Sequence, residues 1–164
     1  MAIPVFTIAA YSGTGKTTYL EGLLPHLKAF GLRVAVVKHD GHKFEVDRKG
    51  KDSWRFAQSG ADVVAITSGT KFALMEYHPV ELADIVERIR NVDLIITEGY
   101  KHGPYPKIAL YWADSEKEPA VGPEECFAIV SDVPMNAPCP VFPLNDPKSL
   151  AAYLLHSIGT VPAC

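Results

Sequence analysis

An α/β fold with a doubly wound, mostly parallel sheet is what this chain predicts, on three observations. Apolar runs of strand length alternate with segments of helical period along most of its 164 residues. The valine-rich run Arg33–Lys38 is unbroken, as in strands covered on both faces. A glycine-rich loop, Ala10–Thr18, joins the first such run to the first helical segment.

The elements follow in order. The first strand is Val5–Ala9, and the first helix begins at Lys16 and ends before Gly31, a C-terminal cap. Leu20, Leu23, Leu24 and Leu27 recur at helical spacing and face the sheet, while Pro25 should bend or loosen the helix. Arg33–Lys38 is the second strand. His39–Lys51 mixes both charge signs without period and reads as a loop, followed by a short helix over Asp52–Ser59 closed by Gly60. Strands at Val63–Thr67 and Lys71–Glu76 flank the turn Ser68-Gly69-Thr70. Pro79 opens the next helix, with Leu82, Ile85, Val86 and Ile89 on one face. Leu94–Thr97 is a further strand, ending at Glu98-Gly99. Residues 100–123, rich in Pro, Gly, Tyr and Lys, read as a hairpin-like excursion from the core sheet, with one strand at Ile108–Trp112. Strands at Phe127–Val130 and Val141–Leu144 and a helix over Lys148–Ser157, with Leu150, Leu154 and Ile158 inward, complete a single domain over 1–164.

Composition narrows the function classes. Apolar content is 48% and charged content 21%, as in globular proteins. A net charge of −3 gives no general nucleic-acid footprint. No apolar run approaches the ~20 residues of a membrane span, and the N-terminus lacks the pattern of a signal peptide. The three cysteines are odd in number and widely spaced, which suits free thiols in a reducing cytoplasm.

The loop A-Y-S-G-T-G-K-T-T carries the chemistry. It matches the phosphate-binding P-loop G-x-x-x-x-G-K-[ST] with Ala10 in place of the first glycine. Backbone N–H groups over Ser12, Gly13, Thr14, Gly15, Lys16, Thr17 and Thr18 would wrap a phosphate at the positive end of the helix. Lys16 would reach the outer phosphates, and the Thr17 hydroxyl would hold Mg²⁺. Ligands of such sheets bind beyond the carboxyl ends of the strands. That rule selects Glu98, which follows a strand, over Asp93, which precedes it, as the metal-side acid. The loop after the second strand adds Asp40, which could position water, and Asp47 and Asp52, which could make further metal contacts. His39 and His42 with Asp40 give a weaker transition-metal pattern. Lys101, His102 and Lys107 form a basic cluster beyond Glu98. For the base, the loops Ser131-Asp132 and Asn145-Asp146 stand where a nucleobase would lie. A carboxylate accepting from N1 and N2 of guanine is the device required, and Asp132 and Asn145 mark the two loops between which the sequence does not choose. These residues alone do not separate GTP from ATP.

Four segments together, A-Y-S-G-T-G-K-T-T, V-V-K-H-D-G-H, D-R-K-G-K-D-S and I-I-T-E-G-Y-K, resemble the MobB family of molybdopterin-guanine dinucleotide biosynthesis adapter proteins. The resemblance is strongest over Ile8–Lys101. It implies GTP binding with Mg²⁺ and slow hydrolysis. It also implies a homodimer that works with the guanylyltransferase MobA, which attaches GMP to molybdopterin. The excursion around Ile108–Trp112 would then serve dimerisation. Two rival readings keep the same P-loop: a small-molecule kinase, and a nucleotide-driven metal-insertion chaperone using His39 and His42.

Overall fold

The computed structural model describes residues 3–41, 44–113 and 120–158. The chain divides into two compact units, one formed by Met1–His39 with Ile89–Cys164 and one by Asp40–Arg88.

The first unit is built on a six-stranded sheet. Its strands are β1 (Val5–Ala9), β2 (Val34–Lys38), β5 (Leu94–Glu98), β6 (Lys107–Tyr111), β7 (Cys126–Ser131) and β8 (Val141–Pro143). The order is β2-β5-β1-β6-β7-β8, and every neighbouring pair is parallel. Helices α1 (Lys16–Ala29) and α4 (Pro147–Ser157) pack together on one face. Phe6, Ile8, Leu94, Ile96, Ile108 and Val130 meet Leu23, Leu27, Leu150 and Leu154 there, all with no exposed surface. This burial is the main stabilising term for the unit, at roughly 1.5–3 kcal/mol per large side chain. Thr7 and Thr97, opposite one another in the β1–β5 register, share a buried hydrogen bond of 2.8 Å.

The α/β, mostly parallel expectation holds, and Leu20, Leu23, Leu27, Leu150 and Leu154 are inward as expected, while Leu24 is half-buried and stands outside the core cluster. Helix α1 continues through Pro25, which lies on its exposed side. It ends as a Schellman motif. Gly31 adopts φ 81°, its N–H donates to Lys28 O (2.9 Å), and the Leu32 N–H donates to Leu27 O (3.2 Å).

Two local expectations are corrected. The β2 run was expected to be covered on both faces, but β5 lies between it and β1, so β2 is an edge strand with Val36 44% exposed. Ile108–Trp112 is not part of an excursion. β6 pairs with β1 on one side and β7 on the other, and Ile108, Ala109 and Leu110 are buried. Paired on both edges inside the core sheet, β6 has no free edge for a strand of a second subunit to join.

The hairpin lies instead in the second unit. β3 (Val63–Thr67) and β4 (Phe72–Glu76) form a separate two-stranded antiparallel sheet. Its turn is pinned by Ser68, whose Oγ accepts from the Lys71 N–H (3.1 Å) while its own N–H donates to Lys71 O (2.8 Å). The unit also holds helices α2 (Asp52–Gln58) and α3 (Leu82–Arg88), with Glu76 joined to Arg88 (2.6 Å) and His78 (2.9 Å).

Candidate functional site

The carboxyl ends of β1, β2 and β5 come together at the switch point of the sheet, where the chain crosses from β1 to β2 on one side and β6 borders β1 on the other. The loop between β1 and α1 lies there. Gly13 and Gly15 take φ values of 80° and 78°, a region that L side chains rarely adopt, and Gly15 is the N-cap of α1. No side chain caps the helix, so its first N–H groups point out of the loop as anion donors. The Thr14 hydroxyl folds the loop by donating to Tyr11 O (2.6 Å). Ser12, Gly13, Gly15, Thr17 and Thr18 are exposed, so a phosphate can approach.

Lys16 arches back over this loop. Its ammonium donates to Tyr11 O (2.7 Å) and Ala10 O (3.2 Å). Burial pushes its pKa below the ordinary lysine value. The charge of Glu98 acts against that shift, while Lys38 and Lys101 reinforce it. Three lysine charges close enough to act on one another, with a single carboxylate among them, present a positive field suited to an anion. Lys101 is held by Tyr11, with its ammonium 4.5 Å from the ring centroid.

Thr17 and Glu98 meet, as the strand-end rule predicts. The Thr17 hydroxyl donates to Glu98 Oε1 at 3.3 Å, and Glu98 is only 8% exposed. A hydroxyl and a carboxylate beside exposed loop amides are hard oxygen donors, which fits Mg²⁺. Gly99 has a different part from the phosphate approach that its place beside Glu98 suggests. At φ 98° it lets the ends of β5 and β2 close, and a Cβ there would stand 2.9 Å from His39 O. The His39 N–H donates to Glu98 O (2.8 Å) across the same gap, and the His39 ring packs on Tyr100 with centroids 4.9 Å apart.

Asp132, after β7, is exposed and accepts from the Ala113 N–H (2.9 Å). Asn145 follows β8 and is exposed, and its neighbour Asp146 caps α4 through Ser149. A cavity of about 430 Å³ opens at these strand ends, lined by Ser131, Asp132, Met135, Val141 and Phe142 among others. Asp40, Asp47 and Asp52 belong to the second unit. Asp47 there lines a cavity of about 240 Å³ with Thr67, Ser68 and Lys71. Its Oδ1 accepts from the Arg48 N–H, and its Oδ2 is buried without a hydrogen-bond partner. Asp52 is exposed, 3.6 Å from Arg55. Lys107 does not join Lys101. It lies within β6, 3.9 Å from Glu125. His42 lies outside the described residues. Among the described residues no group of three or more His, Cys, Asp or Glu could hold a metal ion. None of the described helices is long and apolar enough to cross a membrane.

Sequence reasoning missed Trp112. It leaves the carboxyl end of β6 and sits against the P-loop, 3.6 Å from where a Cβ on Gly15 would be. The signal was available in the run K-I-A-L-Y-W. Read as a core parallel strand, that run delivers its last residue to the ligand end of the sheet.

Comparison with known proteins agrees with this geometry. The family of molybdopterin guanine dinucleotide synthesis protein B, MobB, matches residues 5–132. The chain is 37% identical over 162 residues to the molybdopterin-guanine dinucleotide biosynthesis adapter protein of Escherichia coli (strain K12), covering 94% of this chain and 93% of that protein. It is 34% identical over 156 residues to the protein of the same description from Haemophilus influenzae, covering 93% and 88%. The crystal structure of Bacillus subtilis MobB superposes with a TM-score of 0.74 at 26% identity, covering 94% of this chain and 97% of that one. The strand order, the loop and the spread of the match over nearly the whole chain converge, and the chain belongs to the MobB family.

Proposed function

We propose that this protein is a GTP-binding adapter with slow GTPase activity in molybdopterin-guanine dinucleotide biosynthesis, assisting a MobA-type guanylyltransferase in the cytoplasm. The observation that carries the reading is the meeting of Thr17 and Glu98 at 3.3 Å beside Lys16, at the carboxyl ends of β1 and β5. The names of the relatives supply the pathway, and the P-loop supplies the chemistry.

In this reading the N–H groups over Ser12–Thr18 bind the phosphates, and Lys16 exchanges its loop carbonyls for phosphate oxygens. Thr17 and Glu98 hold Mg²⁺, which neutralises charge on the outer phosphates. Trp112 and Gly15 bound the loop on one side. The base lies toward the ends of β7 and β8, where Asp132 lines the 430 Å³ cavity and Asn145 follows β8. Hydrolysis is slow because the cations acting on Lys16 are lysines, and Arg33 and Arg88 are held by Asp93 and Glu76.

The adapter works as a homodimer, with molybdopterin reaching the complex through the guanylyltransferase. The hairpin is the surface that suits self-association. Its register sets Val63, Ala65 and Thr67 beside Glu76, Leu74 and Phe72 on one face, and Phe72 is 65% exposed there. Sedimentation should give dimers for the native chain and monomers for Leu74→Asp. Native monomers would remove the dimer from the proposal. Titration with Mg²⁺ and either nucleotide tests the central reading. GTP binding should exceed ATP binding, and tight ATP binding without GTP affinity would overturn it.

A further inference from the structure

The two described cysteines lie away from the nucleotide site, and their placement depends on a defect in the sheet. Along the β6–β7 ladder Lys107 pairs with Cys126 and Ile108 with Ala128, so Phe127 is one residue too many. This bulge sends Phe127 and Ala128 to the helix-covered face together, while Cys126 joins Ile129 on the opposite face. Regular alternation would have put Cys126 on the helix side.

Cys139 reaches the same face by another route. Ile129 is opposite Val141 in the β7–β8 register, and Cys139 precedes Val141 by two residues, which keeps it on Val141's side. Both cysteines therefore pack in the small cluster of Ala9, Ala109, Val121 and Ile129. Their thiols converge on adjacent carbonyls: Cys126 Sγ donates to Gly122 O (3.3 Å) and Cys139 Sγ to Pro123 O (3.9 Å). Neighbouring parallel strands run about 4.8 Å apart, and bridged cysteines need Cα atoms within about 4.4–6.8 Å. Carried two residues back from Val141, this register sets Cys139 beside Phe127, one position from Cys126, a separation that a bridge can span.

We propose that Cys126 and Cys139 are a redox site that closes to a reversible intramolecular disulfide. The oxidant is a small-molecule disulfide of the glutathione class. One thiolate attacks the oxidant and releases the first reduced thiol. The second cysteine then attacks the mixed disulfide and releases the other. Two protein thiols and one oxidant disulfide thus become one protein disulfide and two small thiols. Both protein thiols are protected at rest. Burial, then the neighbouring Cys139, Glu125 and Glu124, push Cys126 up to about 11, and burial raises Cys139. The bond would ring-close residues 126–139, a segment that includes Ser131, Asp132 and Met135 of the 430 Å³ cavity lining.

The test uses the full chain carrying Cys164→Ser, equilibrated with oxidised glutathione at mildly alkaline pH and then reduced again. Both remaining thiols should disappear, the mass should fall by two hydrogens, and peptide mapping should join Cys126 to Cys139. Reductant should restore both thiols. The oxidised form should resist proteolysis within residues 132–140 relative to the reduced form. Adding Cys139→Ser should convert the product to a glutathione adduct on Cys126. Two free thiols at equilibrium, or stable glutathione adducts with Cys139 present, would overturn the proposal.

Discussion

The two ends of β5 carry one carboxylate each, and the two are treated in opposite ways. At the amino end Asp93 is consumed by Arg33. It accepts from the backbone N–H (2.8 Å), from Nε (3.0 Å) and from Nη2 (2.8 Å). These hydrogen bonds, helped by the guanidinium charge, hold its pKa down to about 2. At the carboxyl end Glu98 is buried, faces a threonine hydroxyl, lies opposite Lys38 in the β2–β5 register and feels the charge of Lys16, yet forms no ion pair among the described residues. A bidentate ion pair fastens β2 to β5 and leaves that carboxylate no capacity for a ligand. A carboxylate with only a weak hydroxyl partner retains capacity for a cation. The difference teaches that position along a parallel strand, and not residue type, separates an acid spent on an ion pair from one left open to a ligand.

The most severe way to break this comparison is Lys16→Ala. It removes the ammonium from the carboxyl end and should lower GTP affinity at least about a hundredfold, the loss typical of deleting a desolvated charge contact. Thermal unfolding should be little changed, because Lys16 bonds only loop carbonyls. Retained binding would mean that the phosphate lies elsewhere.

Gly99→Ala attacks the geometry of the same end. A Cβ would stand 2.9 Å from His39 O on a backbone at φ 98°. The strain alone should cost about 1–3 kcal/mol, read as a lower Tm, and GTP affinity should fall with it as Glu98 shifts. An unchanged Tm would show that the β2–β5 gap is slack.

The smallest effect belongs to the amino end. Asp93→Asn should leave GTP affinity unchanged, lower stability modestly at neutral pH and flatten its fall in acid. The folded pKa of Asp93 is depressed from 3.8 to about 2, so its contribution is present above about 4 and is lost as pH falls toward 2. Native protein should therefore lose stability through that window more steeply than Asp93→Asn, in acid unfolding followed by circular dichroism.

Much of this contrast was legible in the chain. Strand direction alone sorted Glu98 from Asp93, and the loop pattern located Lys16 and Thr17. What escaped was sheet order. Nothing local in K-I-A-L-Y-W says that it inserts between β1 and β7, because parallel pairing is fixed by crossovers and not by adjacent residues. The Pro- and Gly-rich flanks of that run suggested an excursion, and Trp112 was lost from the site with it. β2 erred in the other direction: its valines satisfy β-propensity, which reports fit to a pleated surface and not depth. The hairpin's two strands were found, but their separation from the main sheet is a property of pairing partners that no single segment carries.

The most direct measurement is a calorimetric titration of GTP at several Mg²⁺ concentrations into the native chain, Glu98→Gln and Asp93→Asn. The account predicts that Asp93→Asn matches the native chain, while Glu98→Gln loses about 10–100-fold in apparent Mg²⁺ affinity and keeps its native Tm. Equal Mg²⁺ dependence in all three would contradict the assignment of Glu98 to the metal side of the site.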